Sequence, residues 1–173
     1  TTASFEEALQ KRLSQASSAR STDEVYRIPT IVHVVHNGES VGTSSNISAA
    51  QVNSQFEVLN EDFRRLGAGA NTHESGSDVF VEFVPVLTDP DGQTLTEPGI
   101  NRINGGRVFW EETPLEGTLK PETIWDPERY FNIWVVNFGG DLDGVLGYAQ
   151  FPSLSGLDDL PDDMGPASTD GVV

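Results

Sequence analysis

The chain has 173 residues, of which 36% are hydrophobic and 21% are charged, and it contains no cysteine. This length and composition fit one ordered globular domain, while the lack of cysteine excludes disulfides and thiol catalysis within the segment. A net charge of −17 repels phosphate backbones and anionic lipid surfaces, and no apolar run approaches the ~20 residues that span a bilayer. Neither nucleic acid nor a membrane is therefore expected as a partner.

The first 25 residues are predicted to form a peripheral arm. Ser4 and Glu7 make a capping box that begins a short amphipathic helix, and a stretch rich in Ser, Ala and Thr follows it. We therefore assign residues 1–25 to a helical arm and linker, and residues 26–173 to the main domain.

The main domain opens with a strand and a helix. The segment from Ile28 to His36 is dense in β-branched residues and predicts a buried strand. A second capping box, formed by Ser48 and Gln51, begins an amphipathic helix, and Gly67 suits a left-handed cap at its end. This helix is the most strongly indicated one in the chain.

Shorter elements follow. Period-two patterns and turn residues predict further strands separated by turns, and a region without periodicity indicates a surface excursion. The strands are predicted over 79–87, 100–103, 131–138 and 145–151, the turns over 89–92 and 139–144, and the excursion over 99–122.

Several blocks of sequence resemble the pappalysin family of metzincin zinc metalloproteases, in the N-terminal part of the catalytic domain. They occur in the family's order and include the uncommon run Leu-Gly-Tyr-Ala-Gln-Phe-Pro. The matching blocks are 28–36, 47–65, 124–125, 130–135, 146–152 and 169–173.

The resemblance implies an α/β (α+β) fold, the metzincin upper subdomain. Its sheet would be twisted, mixed and mostly parallel, with an antiparallel edge strand and backing helices. It also implies a secreted, zinc-dependent endopeptidase that hydrolyses peptide bonds of a protein or peptide substrate. One interpretation of the arm of residues 1–25 is then that it is a remnant of a pro-segment.

The family's zinc motif, H-E-x-x-H-x-x-G-x-x-H, is not present in this sequence. The resemblance places it downstream of Val173. The chain is therefore expected to form the upper wall of the substrate cleft, to contain no catalytic residue and to be inactive alone.

The cleft-edge strand of the family corresponds to the segment around Leu146 to Phe151. The expected substrate contacts are Gly147, Tyr148 and Ala149, which would pair with an extended peptide by strand addition. An ordinary edge strand is the alternative interpretation.

The other candidate sites are weaker. His33 and His36 lie three apart on a strand and point to opposite faces, so a structural role is predicted, and His73 is a lone loop histidine. Glu111 and Glu112 are expected at the surface.

Acidic loops could supply oxygen ligands to calcium, although solvated loops are the favoured interpretation and no spacing matches an EF-hand. The candidate carboxylates are Asp89, Asp91, Asp141, Asp143, Asp158, Asp159, Asp162 and Asp163.

Two other functions stay open. The chain could be a non-catalytic extracellular module that binds peptides along its exposed edge strand, which predicts affinity without turnover. An acidic calcium-dependent adhesion module is the third possibility.

Overall fold

A computed structural model describes residues 24–67, 73–150 and 165–173. The predicted arm of residues 1–25 therefore lies almost wholly outside the described residues. None of the helices in these ranges has the length and apolar character needed to cross a membrane.

The sheet is built around one long central strand, β1 (Tyr26–His36), which pairs in parallel with three shorter strands. These are β2 (Val81–Pro85), β3 (Ile100–Asn104) and β4 (Phe131–Val135). Thr30 pairs with both β2 and β4, and Val32 pairs with both β3 and β4. Because a strand has only two edges, β2 and β3 share one edge of β1 and β4 occupies the other.

The burial of β1 follows from this position. Its residues from Thr30 to Val35 are at most 5% exposed, as expected for a parallel strand that is covered on both faces. The buried strand predicted over 28–36 is confirmed, and the strands predicted over 79–87, 100–103 and 131–138 are present with somewhat different ends.

Helix α1 (Ala49–Arg64) begins as predicted. The Ser48 side chain accepts from the Gln51 amide, and the Gln51 side chain accepts from the Ser48 amide, so both halves of the capping box are present. Val52 and Phe56 bury its inner face against the core.

The end of α1 differs from the prediction, because Arg65 and not Gly67 caps the helix. Arg65 has φ 51° and ψ 46°, in the left-handed region. Its guanidinium donates to the carbonyl of His73 at 2.8 Å and to the carbonyl of Gly76. These contacts with the following loop compensate a backbone conformation that usually favours glycine.

The surface excursion predicted over 99–122 is wrong in its second half. An α-helical turn (Glu112–Pro114), a π-helix (Leu115–Leu119) and another α-helical turn (Lys120–Thr123) follow one another, and we call this continuous segment α2. Leu115 and Leu119 are buried. Apolar side chains four apart were present in the sequence, but the surrounding Gly, Pro and Thr residues obscured the pattern.

The strand predicted over 145–151 is present only as a short antiparallel pairing in the described residues. Only Ala149 forms an isolated antiparallel bridge, with Val172, and Phe151 lies outside the described residues. The pairing at this edge is made with Val172 and Val173. The turn predicted over 89–92 is confirmed by the bond from the Gly92 amide to the Asp89 carbonyl, 3.0 Å long.

Candidate substrate edge

Val172 extends the sheet beyond β4. Its amide donates to the Asn132 carbonyl at 3.1 Å, and its carbonyl accepts from the Trp134 amide at 2.8 Å, in parallel register. Gly171 precedes it with φ 145°, and a Cβ at Gly171 would collide with the Asn132 carbonyl and the Trp134 ring. Glycine therefore allows the chain to approach β4 closely enough to pair.

The segment 145–150, which we call the edge segment, lies outside Val172. The Tyr148 amide donates to the Val173 carbonyl at 3.0 Å, and the Val173 amide donates to the Tyr148 carbonyl at 2.9 Å. This reciprocal pair is antiparallel. The sheet is thus mostly parallel, with an antiparallel outer segment.

The backbone groups of Gly147 and Ala149 are on the open side of the edge segment. In an extended chain, successive residues present their N–H and C=O groups to opposite sides. Both residues are exposed, and their backbone groups form no hydrogen bond with the part of the chain that the structure describes. These groups are the ones that an added strand would use.

Gly147 has a second role inside the molecule. A Cβ at this position would lie 2.7 Å from the Val173 carbonyl oxygen, closer than real Cβ atoms approach. The glycine therefore lets another backbone approach closely, and that backbone is Val173 of the same chain.

The Tyr148 side chain points inward. Its ring stacks on Phe138 with the centroids 5.9 Å apart, and its hydroxyl donates to Glu116 Oε1 at 2.5 Å. Burial, and then the hydrogen bond and charge of Glu116, raise the pKa of Tyr148 well above its usual value. The hydroxyl therefore stays protonated and acts as a donor.

Behind Tyr148 lies an ion pair with a buried lysine, which the sequence did not indicate. Lys120 is 1% exposed, and its Nζ lies 2.8 and 3.1 Å from the two carboxylate oxygens of Glu116. The same Nζ lies 5.3 Å from the centroid of the Trp134 ring and 5.4 Å from that of Tyr148. The Glu-x-x-x-Lys spacing was visible, but that spacing is typical of exposed helix faces.

The structural role predicted for His33 is confirmed. The side chain is fully buried, Nε2 bonds Asn132 Oδ1 at 3.0 Å, and Nδ1 bonds Asn101 Nδ2 at 3.1 Å. Because an amide nitrogen only donates, Nδ1 accepts and Nε2 carries the proton. Burial lowers the pKa of His33 to about 4, although the bond to Asn132 opposes the shift.

The described residues do not fit a zinc site. His36 Nδ1 accepts from the Gly38 amide, His73 lies on an exposed loop, and both ring nitrogens of His33 are used. Within 24–67, 73–150 and 165–173, no group of three or more His, Asp and Glu side chains is placed to hold a metal ion.

Two of the acidic candidates, Asp89 and Asp141, make structural contacts through their carboxylates. Asp89 Oδ1 accepts the amides of Asp91 and Gln93, and Asp141 Oδ1 accepts the amide of Glu112 at the start of α2. Glu111 and Glu112 are exposed, as predicted. The remaining calcium candidates, from Asp158 to Asp163, lie outside the described residues.

Solved structures of mirolysin share this architecture. Mature mirolysin of Tannerella forsythia in complex with a cleaved peptide is 35% identical, with a TM-score of 0.66, over 87% of this chain and 52% of that chain. The Tannerella forsythia promirolysin mutant is 33% identical, with a TM-score of 0.64, over 96% of this chain and 52% of that chain. No protein-family model and no curated protein sequence matches the chain.

The fold is therefore that of the metzincin protease domains, a mixed α/β architecture with a mostly parallel sheet. The similarity to mirolysin and promirolysin agrees with the resemblance to the pappalysin family of metzincins that the sequence indicated. The chain spans about half the length of the mirolysin chains that it matches.

Proposed function

We propose that this chain is the N-terminal subdomain of a secreted, zinc-dependent endopeptidase and forms the upper wall of its substrate cleft. The zinc ligands belong to sequence downstream of Val173, so residues 26–173 are inactive alone. Zinc would supply an activated water for hydrolysis, while the residues of this chain would bind and orient the peptide.

One observation carries this proposal, namely the open backbone groups of Gly147 and Ala149 on the antiparallel edge segment. An extended peptide can add there as a further strand, with its own amides and carbonyls in register. The likeness to a mirolysin structure that contains a cleaved peptide supports a peptide as the ligand class.

Tyr148 contributes to this site differently from Gly147 and Ala149. Its backbone is already paired with Val173 and its ring faces the core. Direct peptide contacts are therefore proposed for the backbone of Gly147 and Ala149, and a supporting role for Tyr148.

The complete product of the gene is expected to cleave an unfolded protein substrate. A zinc chelator should abolish the cleavage and added zinc should restore it, which gel analysis of the products can measure. Absence of cleavage under all conditions would contradict the protease proposal.

A non-catalytic peptide-binding module is the second candidate function. It is favoured by the fact that the open edge lies within the described residues, whereas these residues supply no metal site. Saturable binding of extended peptides by the complete gene product, without any cleavage in the presence of zinc, would support the module over the protease.

A further inference from the structure

The edge segment has few side-chain anchors of its own. Leu146 is fully exposed, Val145 is 37% exposed, and Gly147 and Ala149 have little or no side chain to bury. Tyr148 is the residue among these that packs against the buried side chains around Leu119 and Trp134, beside Phe138. The Gln150 side chain, at the end of the segment, accepts from the Thr169 hydroxyl at 2.8 Å. The position of residues 145–149 therefore depends on Tyr148.

The partner of Tyr148 is itself held in place from within. The Glu116 carboxylate accepts from Tyr148 and is bound through both of its oxygens to the buried ammonium of Lys120. A buried ammonium needs a nearby carboxylate, because an uncompensated buried charge costs several kcal/mol. Glu116 therefore has little freedom to move away from Lys120.

A second contact joins the same two parts of the chain. Asp141, which begins the loop leading to the edge segment, accepts the amide of Glu112 at 3.0 Å. The loop and the edge segment thus contact α2 at its first turn and again at its π-helix. A π-helical turn changes the angular placement of the side chains around it, and such turns are frequent at functional sites.

We propose that Tyr148 is a positioning residue, held by the Glu116–Lys120 pair, which sets the register of the outward backbone groups of Gly147 and Ala149 for an extended peptide. This inference rests on the proposed function, since it concerns the same edge. The phenol ring sets how deeply the edge segment lies against the core. The hydroxyl bond to Glu116 sets the rotation of the edge segment about the segment's own axis.

The test uses the complete gene product with a zinc chelator present, so that peptides bind without being cleaved. A fluorescent substrate peptide and its variants with one N-methylated amide each are titrated, because N-methylation removes a single backbone donor. In the wild type, one or two of these variants should bind about fivefold to tenfold more weakly than the parent peptide.

Tyr148→Phe should weaken binding of the parent peptide by about fivefold. It should also reduce the loss of affinity caused by N-methylation, which we call the N-methylation penalty, to less than about twofold. Glu116→Gln removes the charge partner of Lys120 but keeps an oxygen that can accept from Tyr148, so it should reduce the N-methylation penalty in part. Tyr26→Phe is the matched control, because the exposed Tyr26 lies on β1 and its hydroxyl has no hydrogen bond within the described ranges.

The outcomes separate the two proposals. If no N-methylated peptide binds more weakly to the wild type, strand addition at this edge is wrong, and the positioning role is wrong with it. If the wild type shows the penalty and both variants retain it in full, whatever their affinity for the parent peptide, only the positioning role of Tyr148 is overturned.

Discussion

Replacement of Asn132 by leucine is expected to lower the free energy of unfolding by about 4 kcal/mol, a large part of the 5–15 kcal/mol typical of a domain. Asn132 is 1% exposed and uses its whole amide. Its Oδ1 accepts from His33 Nε2 and the Trp125 amide, and its Nδ2 donates to the carbonyls of Trp125 and Tyr130.

The loss is large because leucine leaves several buried polar groups without partners at once. The amide and carbonyl of Trp125 lose the bonds of 2.9 Å that the Asn132 side chain makes with each. Each buried group left unsatisfied costs about 1–3 kcal/mol. The same change also removes the acceptor of the buried His33 ring.

Urea unfolding followed by tryptophan fluorescence measures the effect, since Trp125 and Trp134 both lie beside Asn132 and His33. Asn137→Leu is the matched control. Asn137 is exposed and makes one amide bond, to the Val108 carbonyl, so its loss should cost less than about 1 kcal/mol. Equal effects of the two substitutions would refute the importance assigned to the buried network.

Mild acid is expected to destabilise the fold through His33. The pKa of His33 falls from 6.5 to about 4 in the folded chain, mainly through burial. Between these two pH values the unfolded chain binds a proton that the folded chain does not. The titration of His33 therefore leaves the free energy of unfolding unchanged above pH 6.5. As the pH falls towards 4, it lowers that free energy by a total of about 3 kcal/mol.

The geometry explains why protonation is unfavourable. A proton on Nδ1 would face Asn101 Nδ2, which is also a donor, so the charged ring would lose its bond to Asn101. The contribution of Glu39, whose pKa is lowered from 4.5 to about 2 chiefly by its bond with Ser45, is lost below about pH 4.5 and overlaps this window only at its acid end.

His33→Gln should flatten the dependence of unfolding free energy on pH between 6.5 and 4. His36→Gln, at the half-buried end of the same strand, should retain the dependence. Urea titrations at several pH values compare the three proteins. A slope that is unchanged in His33→Gln would assign the acid sensitivity to another group.

The central strand and first helix could be predicted from sequence because local signals and tertiary context agree there. The β-branched run of β1 matches a strand covered on both faces, and Ser48 with Gln51 forms the capping box that their spacing indicated. The structural role of His33 could also be predicted, because its position in a buried strand follows from the same pattern.

Other features depend on contacts between segments far apart in sequence. Lys120 is buried where the rings of Trp134 and Tyr148 cover it, and no local sequence pattern indicates this burial. The edge segment pairs with Val172 and Val173, which lie far along the chain, and no local pattern indicates that partner. Arg65 takes the left-handed cap position of α1 while its guanidinium bonds a loop about ten residues later, and these contacts offset the ordinary preference for glycine.

The nucleotide sequence of the reading frame after the codon for Val173 tests the central claim most directly. A zinc endopeptidase whose cleft wall is built by residues 26–173 requires H-E-x-x-H-x-x-G-x-x-H within about a hundred residues. The presence of that motif is the result that we predict. A frame that stops, or that continues without the motif, would contradict the protease and leave the peptide-binding module as the function of the edge.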